Sequence, residues 1–184
     1  MTAPGFSIRQ AERDDAALLA ELMRALHAHL KEPTEHISAD ALRRDMFVDG
    51  SVYTVLVAEQ DGELIGYALF HESYETVYAQ RGAYMADLFV AERARRQGVA
   101  RALVAAVASV MRARKLRFLW WVSESWDKEA QAFYASLGAS HETYVAHAVT
   151  FKDFQRLADE GDKRAEREHE AARKDAREEK SSAK

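Results

Sequence analysis

The chain has 184 residues, 48% of them hydrophobic, enough for one well-buried α/β domain and hardly for two. A formal net charge of -4 gives no bulk attraction to nucleic acid, so nucleic acid is not an expected partner and small molecules are the expected ligands. The absence of cysteine excludes disulfides, thiolate zinc sites and cysteine nucleophiles. With no basic segment leading an apolar run at Met1 to Gly5 and no stretch of membrane-spanning length, the expectation is a soluble, cytoplasmic protein with no membrane partner.

Phe6 to Ala11 alternates weakly and predicts an opening strand. Asp14 or Asp15 can cap the helix that follows, whose Leu18, Leu19, Leu22, Leu26 and Leu30 share one face. After an acidic loop at Glu32 to Ile37, Ser38 caps a second short helix through Leu42 and Met46, stopped by Asp49-Gly50. Val52 to Glu59 and Leu64 to Phe70 read as strands, and Gln60-Asp61-Gly62-Glu63 between them is a hairpin signal. Arg81-Gly82 reads as a turn into a strand from Tyr84 to Val90. The next helix repeats apolar residues at Val99, Leu103, Val107, Val110 and Met111. Leu116 to Val122 predicts a strand buried on both faces, and strand, helix, strand at this length implies a parallel, right-handed crossover. A helix from about Asp127 to Leu137 ends at Gly138, and His141 to Val149 predicts a last strand. The expected architecture is α/β, a mixed sheet with helices on both faces.

From Gly161 the composition changes abruptly. Residues 162–184 alternate acidic and basic side chains and hold nothing more apolar than Ala, so this segment cannot bury a core face. It reads as a frayed helix or disordered tail, residues 161–184, following a domain of residues 1–160.

The run Tyr84-Met85-Ala86-Asp87-Leu88-Phe89-Val90, then Arg95-Arg96-Gln97-Gly98-Val99-Ala100, is the most informative part of the chain. An apolar strand enters an Arg-rich turn and then a helix whose free N-terminal amides and positive dipole end suit an anion. Gly98 permits close approach of backbone to a ligand, and Arg95 and Arg96 can offset phosphate charge. A helix start with merely exposed arginines would look similar. No Gly-Lys-Ser/Thr, Gly-x-Gly-x-x-Gly, His-Glu-x-x-His or Gly-x-Ser-x-Gly is present, so no metal site is read from the sequence.

Tyr84 to Ala100, together with Trp126 to Ala139, resembles the GNAT superfamily of N-acetyltransferases, and from Lys31 to about Val149 the chain looks most like its diamine (spermidine/spermine) acetyltransferases. The resemblance implies a mostly antiparallel central sheet splayed at its middle, acetyl-CoA as cosubstrate without a metal, a primary amine as acceptor, and a homodimer. It places the pantetheine arm along Leu88, Phe89 and Val90, and the pyrophosphate at Arg95, Arg96, Gln97, Gly98, Val99, Ala100 and Arg101. An amide near Phe89 or Val90 would polarise the thioester carbonyl. Tyr134 matches the family's tyrosine that protonates the departing thiolate, and alone reads equally as a core-edge aromatic.

Asp87 stands among apolar neighbours, opposite Ala86, Leu88 and Val90, and an ionised carboxylate there needs a partner. The resemblance makes that partner the acceptor ammonium, with Asp87 the proton acceptor through a water, while an internal salt bridge or hydrogen bond would satisfy the residue as well. Glu32, Glu35 and Glu72 extend an acidic acceptor channel in this reading, or are solvated surface charges. His27 and His71 read as structural or exposed. The chain departs from the diamine pattern at Ala86, where a Glu would supply a further carboxylate for a polyamine. It departs again at Asp127, where an Asn would offer an amide donor to the pantetheine. Acceptors other than diamines, namely an amino acid, an aminoglycoside or a protein N-terminus, and a non-catalytic acyl-CoA-binding domain, are the alternatives.

Overall fold

A computed structural model describes residues 5–182. Residues 1–4, part of the N-terminus read above, and 183–184, the end of the charged tail, lie outside the described residues. The strands are β1 (Ser7–Gln10), β2 (Tyr53–Gln60), β3 (Glu63–Glu75), β4 (Gln80–Val90) and β5 (Leu119–Trp120). The helices are α1 (Ala16–Leu30), α2 (Ala39–Asp45), α3 (Val99–Ala113), α4 (Lys128–Ser136) and α5 (Phe151–Ser182). Residues up to Ala139 form one compact unit and those from Ser140 a second.

In the first unit the strands lie in the order β1-β2-β3-β4-β5, antiparallel except for the parallel β4–β5 pair. The β2–β3 hairpin turns at Asp61-Gly62, both with positive φ (52° and 80°), the twist that a two-residue hairpin requires. Strand alternation then sorts the core. Val55, Val57, Tyr67, Leu69 and Phe89 face α1 and α2, burying Leu19, Met23 and Leu42, whereas Leu56, Ala68, Phe70, Met85 and Val90 face α3 through Val99, Leu103 and Val107. Fully buried Leu19, Tyr67, Phe70 and Leu103 each contribute roughly 1.5–3 kcal/mol of apolar transfer.

A bulge decides what β4 shows to each side. Leu69 pairs with Asp87 but Phe70 with Met85, so Ala86 is an extra residue on β4. Ala83 and Met85 before it face α3, and Leu88 and Val90 after it do so too. Without the extra residue, Asp87 would point at α3; with it, Tyr84, Asp87 and Phe89 share the α1 face.

Several sequence expectations are corrected. Arg81-Gly82 is not a turn but lies inside β4, because the Phe118 ring fills the space that a Cβ on Gly82 would need, at 2.5 Å. The reversal sits earlier, where Ala79 has φ 48°. The predicted strand from Leu116 to Val122, buried on both faces, shrinks to Leu119–Trp120 with Trp120 exposed. It pairs with β4 only at Ala83↔Leu119 and Tyr84↔Trp120, and beyond Tyr84 the two strands separate. That separation is the splay in the sheet. The segment 141–149 forms no strand, because its side chains are exposed throughout and alternation without a partner ladder does not fix a strand. In the second unit, α5 carries the charged sequence as a continuous helix with i, i+4 pairs Arg156–Glu160 and Arg164–Glu168, both at 2.8 Å.

Candidate active site

The turn after β4 runs through a short 3-10 segment, Glu92–Ala94, into α3. Arg96 (φ 62°) and Gly98 (φ 85°) both adopt the left-handed conformation, which turns the chain sharply and presents successive amides outward. The first intrahelical bond runs from the Ala102 N–H to the Gly98 carbonyl at 3.0 Å, so the amides before it precede the helical ladder. Beyond its flanking residues, no atom lies within 4 Å of the position a Gly98 Cβ would take, so there is open space beside Gly98. Arg96, Gln97, Gly98 and Arg101 are exposed, whereas Val99 is buried as the anchor of the turn. Arg95 is committed inward, its Nε donating to the Val90 carbonyl at 3.2 Å. The amides, the open space and the exposed guanidinium groups fit a pyrophosphate. A cleft of about 520 Å³ adjoins the turn, lined by Leu22, Ala25 and His29 of α1 and by Phe89, Ala91 and Arg95.

Hydrogen bonding along β4 separates the candidate oxyanion amides. Ala91 N–H donates to the Ile65 carbonyl at 2.8 Å. By antiparallel alternation, Phe89 N–H also faces β3, while Val90 and Leu88 N–H face the side where β5 has departed. The Phe89 side chain is buried against Tyr67, with ring centroids 6.4 Å apart. Leu88, Ala100, Trp121 and Tyr134 pack at the edge of the α3-side core. The Tyr134 ring sits 5.0 Å from that of Trp121, and burial, with the charge of Asp127 adding, pushes its phenol up to about 12. It stays protonated across the physiological range.

Asp127 caps α4, its Oδ1 accepting from Ala130 N–H at 2.9 Å while Oδ2 meets His29 Nε2 at 3.1 Å. The Ala130 amide, helped by His29, holds this carboxyl below the usual range. Both oxygens are therefore engaged in joining α1 to α4.

On the α1 face, Asp87 Oδ2 accepts a hydrogen bond from the Tyr67 hydroxyl at 2.9 Å. Burial pushes the Asp87 carboxyl above the usual range, and Glu32 adds to the push, while the Tyr67 hydroxyl and the His27 imidazole oppose it. Burial raises the Tyr67 and Tyr84 phenols as well, each with the Asp87 charge as a further cause. Asp87 opens into a recess of about 350 Å³ that also holds His27, His36, Asp45, Met46 and Leu69. Glu32 reaches this neighbourhood through His27, whose Nδ1 lies 2.6 Å from Glu32 Oε2. Beyond Asp87, Tyr53, His71, Tyr84 and Trp120 form a row across four strands, with successive ring centroids 6.0, 5.6 and 4.8 Å apart.

The other acidic candidates lie apart. Glu72 faces the α3 side, where Arg81 sits at 2.6 Å and Arg114 at 3.9 Å, because it is one residue out of register with Leu69 and His71. Glu35 is an exposed loop residue, 3.9 Å from His36. Sequence reading passed over His36, Asp45 and Tyr67 and read His27 as structural or exposed. Two signals were available: His27 follows core-facing Met23 by one helical turn, and a tyrosine inside the buried run Leu64 to Phe70 requires a polar partner for its hydroxyl. Among the described residues, no group of three or more His, Asp or Glu is placed to hold a metal ion, and no helix is long and apolar enough to cross a membrane.

Comparison with known proteins agrees with this geometry. Residues 18–139 match the Acetyltransferase (GNAT) family. The thialysine N-epsilon-acetyltransferase of Bos taurus is 33% identical over 141 residues, covering 72% of this chain and 82% of the relative. Two solved structures share the fold. One is an integron cassette protein from the mobile metagenome of V. cholerae, with TM-score 0.71, 22% identity, and 85% of this chain and 99% of that one covered. The other is an aminoglycoside acetyltransferase from an uncultured soil metagenomic sample, with TM-score 0.69, 20% identity, and 80% and 97% covered. A strand that parts from its neighbour, an amide-rich turn at its end and a family match over that whole region make this chain a member of the GNAT acetyltransferase family, an N-acetyltransferase that uses acetyl-CoA.

Proposed function

We propose that the enzyme moves the acetyl group of acetyl-CoA directly to a primary amine of a small molecule. The observation that carries this reading is Asp87, a half-buried carboxylate at the floor of a small recess beside the splayed strands. An alkylammonium entering the recess would meet that negative charge, and the thioester would reach it from the opening between β4 and β5.

The chain's own groups then have separate tasks. Amides of the turn from Arg96 to Arg101 hold the pyrophosphate, with Arg96 and Arg101 as exposed counter-charges. Val90 N–H, rather than that of Phe89, is the donor aimed at charge gathering on the thioester oxygen. Tyr134 supplies a hydrogen bond and then a proton to the sulfur that leaves. A phenol pushed up to about 12 gives a proton to a thiolate only as negative charge builds, so it acts late in the transfer. Without cysteine, an acetyl-cysteine intermediate is excluded, which supports direct attack by the free amine. Holding both reactants in one cleft supplies much of the acceleration.

A lysine-like or diamine acceptor fits best. Support comes from the recess volume and from the thialysine substrate in the name of the bovine relative. Ala86 occupies the bulge where a second carboxylate would stand, which argues against a strict requirement for polyamines. The test is release of free coenzyme A thiol across a panel of thialysine, lysine, ornithine, diamines, spermidine and aminoglycosides. Turnover with the short aliphatic amines is expected, and coenzyme A binding without release above hydrolysis for any amine would leave a non-catalytic acyl-CoA-binding domain.

A further inference from the structure

We infer that His27, held by Glu32, is the base that takes the proton from the acceptor ammonium, and that Asp87 anchors the amine rather than deprotonating it. The inference rests on the amine-acetyltransferase reading above and assigns a residue that the sequence reading took as structural or exposed.

His27 sits in the last turn of α1 and lines the same recess as Asp87. Its Nδ1 lies 2.6 Å from Glu32 Oε2. An ionised carboxylate only accepts, so Nδ1 carries the hydrogen in this contact and the Nε2 lone pair is the ring's basic site. A carboxylate that orients a histidine whose other nitrogen serves a substrate is the arrangement that activates nucleophiles in many unrelated sites. α1 ends at Leu30, Lys31 takes a left-handed conformation (φ 62°), and the chain doubles back so that Glu32 N–H meets the His27 carbonyl at 2.9 Å. The fold of this loop therefore places the carboxylate beside the ring.

Asp87 is the poorer base for a chemical reason. An alkylammonium holds its proton with a pKa near ~10.4, about four units above an ordinary imidazole near ~6.5 and about six above an ordinary carboxyl near ~3.9, a gap that the burial of Asp87 narrows without removing the charge it offers an ammonium. Asp87 also spends Oδ2 on the Tyr67 hydroxyl. A fixed, hydrogen-bonded carboxylate is well suited to hold the ammonium in place. The groups around His27 are Glu32 from the following loop, Asp87 and Tyr67 from the sheet, His36 from the loop and Asp45 from α2, the last taken up by Arg44 at 2.6 Å.

The proton count closes. His27 takes one proton from R–NH3+, either directly or through one water, and later returns it to solvent. The free amine forms the C–N bond, the C–S bond breaks with its electron pair on sulfur, and the second N–H proton leaves as the amide forms, balancing the proton that Tyr134 gives to the thiolate. One amide, one coenzyme A thiol and one solvent proton result.

The test is the pH profile of kcat for wild type, His27→Gln, Glu32→Gln and His36→Gln, with the amine that turns over fastest in the panel. Wild type should show a limb that rises with pH as the base loses its proton. His27→Gln should lose that limb and about 100-fold in kcat, with the KM for acetyl-CoA unchanged, and His27→Ala should recover activity on addition of free imidazole. Glu32→Gln keeps a base but removes the charge that favours imidazolium, so its limb should move to lower pH. A limb that survives His27→Gln, or one that disappears with His36→Gln instead, overturns the inference while leaving the amine-acetyltransferase reading intact. If no amine in the panel turns over with wild type, the reading itself fails and the inference falls with it.

Discussion

Asp87 is placed at a cost to the fold. Burial raises its carboxyl above the usual range, so the folded state binds a proton that the unfolded chain gives up. The contribution of Asp87 to stability is therefore greatest at acid pH and falls as pH rises from the ordinary carboxyl value near ~3.9 toward the raised one. Asp87→Asn keeps an oxygen for the Tyr67 hydroxyl and removes the charge. Its Tm should exceed that of wild type at neutral pH and converge with it below about pH 4, as melts across pH would show. The same variant should raise the KM for the amine at least tenfold, because a neutral amide holds an ammonium poorly. Tyr134 has the opposite profile. Tyr134→Phe keeps the ring contact with Trp121 and loses the donor, so kcat should fall about 100-fold while acetyl-CoA affinity, read by calorimetry, stays within about twofold. Equal turnover would remove Tyr134 from the acid role.

Among the elements, the β4–turn–α3 segment is the one proposed to carry the cofactor half of the site. Gly98 lies at φ 85° with open space around it, and so does Gly50 at φ 78°. Substituting either by Ala incurs a similar backbone cost of about 1 kcal/mol. Only Gly98 lies in the turn proposed to hold the pyrophosphate, so Gly98→Ala should raise the KM for acetyl-CoA at least tenfold, whereas Gly50→Ala should lower Tm alone. Equal KM values for both variants would dissociate the turn from pyrophosphate binding. This segment was legible in the sequence because it is local: an apolar run, arginines and a glycine followed by helical periodicity. The bulge at Ala86 was not, since its register depends on the pairing of β3 with β4. Strand alternation across that bulge decides that Asp87 faces the recess and, without a bulge between them, that Glu72 faces away from it. Gly82 misled for a related reason, because the glycine answers to the Phe118 ring from a distant part of the chain and not to a turn. The pairing of His27 with Glu32 was hidden in a loop whose left-handed residue, Lys31, carries no glycine to announce it.

At the scale of the molecule, the groups assigned to the reaction, from His27 to Tyr134, all precede Ala139 and lie within the first unit. The second unit is held together differently. Beyond Leu157, α5 offers no apolar residue larger than Ala, and its regular structure rests on backbone bonds and on i, i+4 ion pairs worth a few tenths of a kcal/mol each. Such a helix has little apolar surface with which to stabilise a neighbouring core. Ending the chain after Gly161 should therefore leave kcat and the KM for acetyl-CoA within about twofold of the full-length values, and should leave the main thermal transition in place. Helix content lost on the same truncation should in the full chain be the part that weakens first with added salt, because ion pairs on an exposed helix are screened while the sheet core is not. A tenfold loss of turnover on truncation would instead assign the tail a part in catalysis, against the expectation from sequence that the acetyltransferase domain ends near residue 160.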